Sequence, residues 1–213
     1  MIYTLGNDKK SKNSKKKKNK KVEEVQAPAI MQRPGTYLRE NGILLFDQPF
    51  KTDTVGPIVE TIFEYNLMPE EIAPERINLL INSPGGRVDS CLMLLDCMLT
   101  SNIPVDTTCT GMAASCGLVT LMAGKHRVAS STAQLMSHQY SSGAGGKEHE
   151  LYGRMKSFEQ TSRWMEDHYA YFTGLSVKKI RKVLLGATDH WMSAEEALEF
   201  NIIDQILNPY GEE

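Results

Sequence analysis

Cysteine is scarce in this chain of 213 residues, with only Cys91, Cys97, Cys109 and Cys116. No two of them stand at Cys-x-x-Cys spacing, and all lie in apolar segments. That argues against a disulfide-stapled scaffold and a zinc site, and predicts reduced thiols of a cytosolic protein. Long apolar runs are also lacking, since no stretch approaches the roughly 20 residues that a membrane-spanning helix needs. The N-terminus is basic but no apolar region follows it, so no secretory leader is read and a cytoplasmic location without membrane contact is expected. A large net charge is absent too: 24 basic and 26 acidic residues leave −2. That balance hides an uneven distribution. Residues 1–21 hold nine lysines and one aspartate, or +8, and the remainder holds 15 basic and 25 acidic residues, or −10. An acidic body is poorly suited to nucleic acid. No metal and no other cofactor is expected.

The hydrophobic residues that are present, 41% of the chain, are ordinary for one globular domain. Residues 1–33 form a Lys-rich tail with too little apolar surface to fold, and a disordered segment is expected there. A folded domain is expected over 34–213. Apolar runs at 42–46, 77–81 and 105–109 read as buried strands, with shorter ones at 126–129, 134–137 and 202–206. Helical spacing is found over 52–66, capped at Thr52 or Asp53, and over 88–99 and 115–122. A long amphipathic helix is expected over 147–172, and shorter ones over 176–185 and 193–200. Strand and helix alternate, which predicts an α/β fold with mainly parallel pairing.

Four short motifs stand at element boundaries. Asn82-Ser83-Pro84-Gly85-Gly86 follows a strand and precedes a helix, where two glycines permit close backbone approach and bare N–H groups. As a single motif it reads more readily as a tight turn. Gly111-Met112-Ala113-Ala114-Ser115 places a serine at a helix start beside unpaired N–H groups, a setting suited to a nucleophile whose product is an oxyanion. The plainer reading is an ordinary N-cap serine. His138, in Leu135-Met136-Ser137-His138-Gln139, ends a strand, and a lone histidine is more often structural than basic. Asp189 lies in a turn before a capping box of Ser193 and Glu196.

Taken together and in this order, the four blocks, with Met192-Ser193-Ala194-Glu195-Glu196-Ala197 after Asp189, resemble the proteolytic subunit of the Clp protease (ClpP) over roughly residues 36–208. The resemblance implies the ClpP/crotonase-like fold of repeated ββα units with a protruding long "handle" helix. It implies a serine endopeptidase with Ser115 as nucleophile, His138 as general base and Asp189 orienting the histidine. The N–H groups of Gly86 and Cys116 would form the oxyanion hole, and the stretch with Gly143, Gly145 and Gly146 would pair with an extended polypeptide substrate. A heptameric ring, stacked in pairs and served by a ring-shaped ATPase unfoldase, is implied as well.

The chain departs from that family in several places. Two residues fewer separate Ser115 from His138, and Tyr140 stands in place of a proline. Thr188 and Ala187 replace an arginine and an acidic residue that help lock the rings together. The strand at 77–81 lacks the aromatics of the ATPase-docking pocket, and the lysine tail replaces the usual axial segment. These features suggest a divergent member, with a phage source one explanation. Alternative readings are a subunit that joins or blocks a host's Clp subunits, a crotonase-type acyl-CoA enzyme, and a serine–lysine signal-peptide-peptidase relative. The last has no lysine at the position of His138.

Overall fold

The computed structural model describes residues 36–143 and 145–211. The tail expected over 1–33 lies outside the described residues, as does Ala144 of the glycine-rich stretch. Among the described residues seven strands form one sheet. β1 (Ile43–Phe46), β2 (Ile77–Ser83), β3 (Val105–Ala114), β4 (Arg127–Ser130) and β7 (Gln205–Leu207) lie side by side in that order, each parallel to its neighbour. β5 (Gln134–Ser137) pairs in parallel with the far end of β3, and β6 (His190–Met192) runs antiparallel to β5. The helices are α1 (Thr36–Glu40), α2 (Thr52–Leu67), α3 (Val88–Thr100), α4 (Cys116–Met122), α5 (Glu148–Thr173), α6 (Val177–Val183) and α7 (Ala194–Glu199). This mixed α/β architecture, with its mostly parallel sheet and long projecting helix, is the one the resemblance implied.

The core explains the pattern of apolar residues. Ile77, Leu79 and Ile81 of β2 are fully buried and Leu80 between them is half-buried, so one face of the strand packs into the core and the other is only partly covered. Cys91, Leu94, Leu95 and Met98 give α3 one buried stripe, while every residue of α4 is buried. Burying each such aliphatic side chain stabilises the fold by about 1.5–3 kcal/mol. α5 is different. Its buried residues, Met165, His168, Tyr169 and Thr173, all fall in its last third, so the earlier turns project from the body.

β3 carries the key departure from the sequence expectation, which ended this strand at Cys109. It continues through Ala114 because its two halves have different partners. Thr107–Cys109 pair with β4, and Met112–Ala114 pair with β5. The register with β2 slips between Ile81 and Ser83, where the Asn82 side chain accepts the Met112 N–H at 3.2 Å. Other differences are local. β6 falls in a stretch that the sequence pattern assigns to no element, and α1 is a short helix that the pattern does not predict. The last strand lies at 205–207, because Ile202 and Ile203 are apolar to cover the core beneath α7. The cap of α2 is Lys51 rather than Thr52 or Asp53, with the Lys51 N–H donating to Thr54 Oγ1 at 3.0 Å.

Candidate active site

Ser115 sits where β3 ends and α4 begins. Its N–H donates to the Met136 carbonyl of β5 at 2.9 Å, and its carbonyl accepts the Val119 N–H at 3.1 Å, the opening bond of α4. Held from both sides, it adopts φ +54° and ψ −119°. A non-glycine residue in such a region costs about 1–3 kcal/mol and persists only where the surroundings over-determine it. An N-cap serine would keep an extended backbone and turn its hydroxyl onto the first helical turn. Ser115 does neither and makes no side-chain cap bond. Its Oγ lies 2.7 Å from His138 Nε2.

The strand register brings the third residue in. β5 and β6 pair Leu135 with Met192, Met136 with Trp191 and Ser137 with His190. One step further along this antiparallel ladder sets His138 opposite Asp189. The His138 Nδ1 to Asp189 Oδ1 distance is 3.6 Å, beyond hydrogen-bond range. The Asp189 side chain is 58% exposed, against 24% for His138. Residues 115, 138 and 189, far apart in the chain, therefore meet, with a close serine–histidine contact and a looser histidine–aspartate one.

The glycine turn before α3 packs directly on this corner. Gly85 has φ +91°, and a Cβ there would fall 2.7 Å from both the Ala114 carbonyl oxygen and Ser115 Cβ. Gly86 has φ +148°, and its Cβ would meet the Phe50 carbonyl oxygen at 2.5 Å. Phe50 holds the turn by donating to the Gly85 carbonyl at 2.8 Å and accepting from the Arg87 N–H at 2.9 Å. The Gly86 and Cys116 N–H groups donate to no oxygen among the described residues. The Cys116 thiol donates to the Gly86 carbonyl at 3.4 Å, which ties the two residues together. Behind them, contact with the Cys116 thiol and burial push the Cys91 thiol well above its ordinary range, so it stays protonated. All four cysteines are free and buried.

A small pocket of about 40 Å³ opens beside Ser115 and His138, lined also by Gly86, Cys116, Trp164 and Met165. Gly143, Gly145 and Gly146 lie on the exposed segment between His138 and α5 and belong to no strand of the structure. Sequence reasoning missed Phe50, which clamps the glycine turn, and the α5 residues Trp164 and Met165 that wall the pocket. Gly85 belongs to the glycine pair that the sequence marks for close backbone approach, and its packing on Ser115 is that approach. Nothing local marks the other three, because their roles depend on segments distant in the chain: Phe50 on the Gly85–Gly86 turn, and Trp164 and Met165 on Ser115 and His138. Among the described residues no group of three or more His, Cys, Asp or Glu side chains could hold a metal ion, and no helix is long and apolar enough to cross a membrane.

A corner of this kind, with a strained serine, a histidine within hydrogen-bond reach and a glycine turn packed against them, suits acyl transfer. The family comparison points the same way: a family model described as Clp protease matches residues 30–210. That match spans most of the chain and all of the site residues, and the chain belongs to the Clp protease family.

Proposed function

We propose that the protein is a serine endopeptidase in which Ser115 attacks the peptide carbonyl and His138 accepts its proton at Nε2. The observation that carries this reading is the 2.7 Å contact between Ser115 Oγ and His138 Nε2, made by a serine turned out of the N-cap conformation. As the tetrahedral intermediate forms, its oxyanion takes hydrogen bonds from the Gly86 and Cys116 N–H groups. His138 then returns the proton to the leaving amine, and water releases the acyl group by the same route in reverse. Asp189 orients the imidazole and stabilises its cationic form. Its 3.6 Å separation is compatible with this role, because catalytic contacts in free enzymes are often long and tighten around substrate. A crotonase-type acyl-CoA enzyme would leave the serine–histidine contact without a purpose.

In this reading an extended polypeptide lies along the segment containing Gly143, Gly145 and Gly146, whose exposed backbone can pair with it as an added strand. The first two-thirds of α5 expose Tyr152 and Met155, the kind of apolar surface that subunit contacts cover. That suits a face covered in an assembly; on the family resemblance, this reading takes the assembly to be a cytoplasmic heptameric ring, fed by a ring-shaped ATPase unfoldase or joined to a host's Clp subunits. The lysine tail, opposite in sign to the body, would serve contact with such a partner or entry of proteins. The deciding experiment is labelling with a fluorophosphonate serine probe beside cleavage of a short fluorogenic peptide. Wild type should label and cleave, and Ser115→Ala should do neither, with a loss in turnover of about six orders of magnitude. Unchanged cleavage by Ser115→Ala would overturn the assignment.

A further inference from the structure

The histidine–aspartate contact is loose, yet His138 is held close enough to bond Ser115. Something besides Asp189 must restrain it. The residue immediately before it is fully buried Ser137, the last residue of β5. Ser137 Oγ lies 2.6 Å from the Leu184 carbonyl oxygen and 2.7 Å from the Tyr169 hydroxyl. These contacts have only one consistent direction. A carbonyl only accepts, so the single Ser137 proton goes to Leu184, and Tyr169 must donate to Ser137. Tyr169 is itself fully buried, and burial raises its phenol above the ordinary range, which keeps that donor proton in place. Leu184 caps the C-terminus of α6, where carbonyls lack helical partners. The chain Tyr169 to Ser137 to Leu184 thus joins α5, β5 and the end of α6 at the position directly preceding the proposed base.

A buried polar pair of this sort is costly unless every group is satisfied, and a satisfied one specifies a single arrangement. Apolar residues at 137 and 169 would fill the same space without fixing the strand end against α5 and α6. We infer that Tyr169 is a positioning residue: by donating to Ser137 it sets where β5 ends, and so where His138 meets Ser115. The hydroxyl touches neither substrate nor the reacting atoms, and it acts only through Ser137. Tyr169 lies one turn beyond Met165, which walls the pocket, so the same stretch of α5 both shapes the pocket and anchors the base.

This inference rests on the reading of His138 as the base, and the test separates the two. Full-length wild type, Tyr169→Phe, Ser137→Ala and the double variant would be compared by kcat and KM on a short fluorogenic peptide. Fluorophosphonate labelling rate and thermal unfolding would be measured on the same samples. Tyr169→Phe keeps the ring and removes only the hydroxyl. It should lower kcat by roughly 10- to 100-fold, the range expected for small misplacements of a reacting group. KM should stay within about twofold, and labelling should slow in parallel with kcat. Ser137→Ala should lose at least as much, and in its background Tyr169→Phe should change nothing further, because coupled groups are not additive. If the phenol only fills space, Tyr169→Phe will turn over like wild type, and the inference is wrong. It is equally wrong if the two losses multiply in the double variant. Should Tyr169→Phe fail to fold, Ser137→Ala decides alone, and a wild-type labelling rate there overturns the claim. If wild type itself is not labelled, the peptidase reading fails and this inference with it.

Discussion

Lowering the pH should weaken this fold through one residue, His168. It is buried in the last third of α5, flanked by Trp164 at 5.3 Å and Phe172 at 4.7 Å between ring centroids. Its Nε2 donates to the Val119 carbonyl of α4 at 3.0 Å, so the neutral ring carries its proton there. Burial disfavours the charged ring and moves its pKa from 6.5 to about 4. The sign follows by linkage. Above about pH 6.5 the histidine is neutral folded or unfolded and contributes no pH dependence. As the pH falls below that value the unfolded chain binds a proton that the folded protein refuses, and stability declines until about pH 4. At 1.36 kcal/mol per pH unit, the whole gap is worth about 3 kcal/mol. That is a large share of the 5–15 kcal/mol typical of a domain. The assay is urea unfolding from pH 7.5 to 4 at fixed protein concentration, for wild type and His168→Gln. Glutamine can still donate to Val119 but does not titrate. Wild type should lose about 3 kcal/mol more than the variant across this range. Parallel curves for the two proteins would show that His168 is not the titrating group.

Asp189→Ala should cost turnover, but about two orders of magnitude less than Ser115→Ala, as the orienting carboxylate of other triads does; equal losses in peptide cleavage would contradict its loose, exposed placement. Gly85→Ala should destabilise the protein and abolish fluorophosphonate labelling, since its Cβ would strike the Ala114 carbonyl and Ser115 Cβ at a backbone angle that side chains rarely adopt; wild-type labelling would refute the close packing. Removing residues 1–33 should leave short-peptide cleavage intact while altering salt-sensitive binding to a partner, because residues 1–21 carry a charge of +8 and lie outside the segments that build the site. Loss of assembly on truncation would instead make the tail structural.

Several features were legible in the amino-acid order alone. Apolar periodicity located β1, β2 and β5 and the helices α2, α3 and α5, because a buried strand or helical stripe must present apolar residues at a set spacing. The capping box before α7 was read correctly: Ser193 Oγ accepts the Glu196 N–H at 3.3 Å and the Ser193 N–H donates to Glu196 Oε2 at 2.9 Å. The family resemblance was carried by four blocks in a fixed order: the glycine turn before Gly86, the run ending at Ser115, the strand end at His138, and Asp189 with the capping-box segment after it. The continuation of β3 through Gly111 was not legible, since a glycine and small residues look like a turn until β5 is known to lie alongside.

By itself, then, the sequence determined the α/β class and the family, named the candidate residues at 115, 138 and 189, and showed the uneven charge, +8 over residues 1–21 against −10 over the rest. Only the tertiary structure decided between a capping serine and one turned toward a histidine. That choice lives in the backbone angles of Ser115, which are imposed by Met136 from a neighbouring strand. It likewise decided that Asp189 stands opposite His138, through the register of β5 with β6, and that Tyr169 and Ser137 form one hydrogen-bonded chain. Local composition cannot encode such facts, because each depends on which distant segment the core forces into contact.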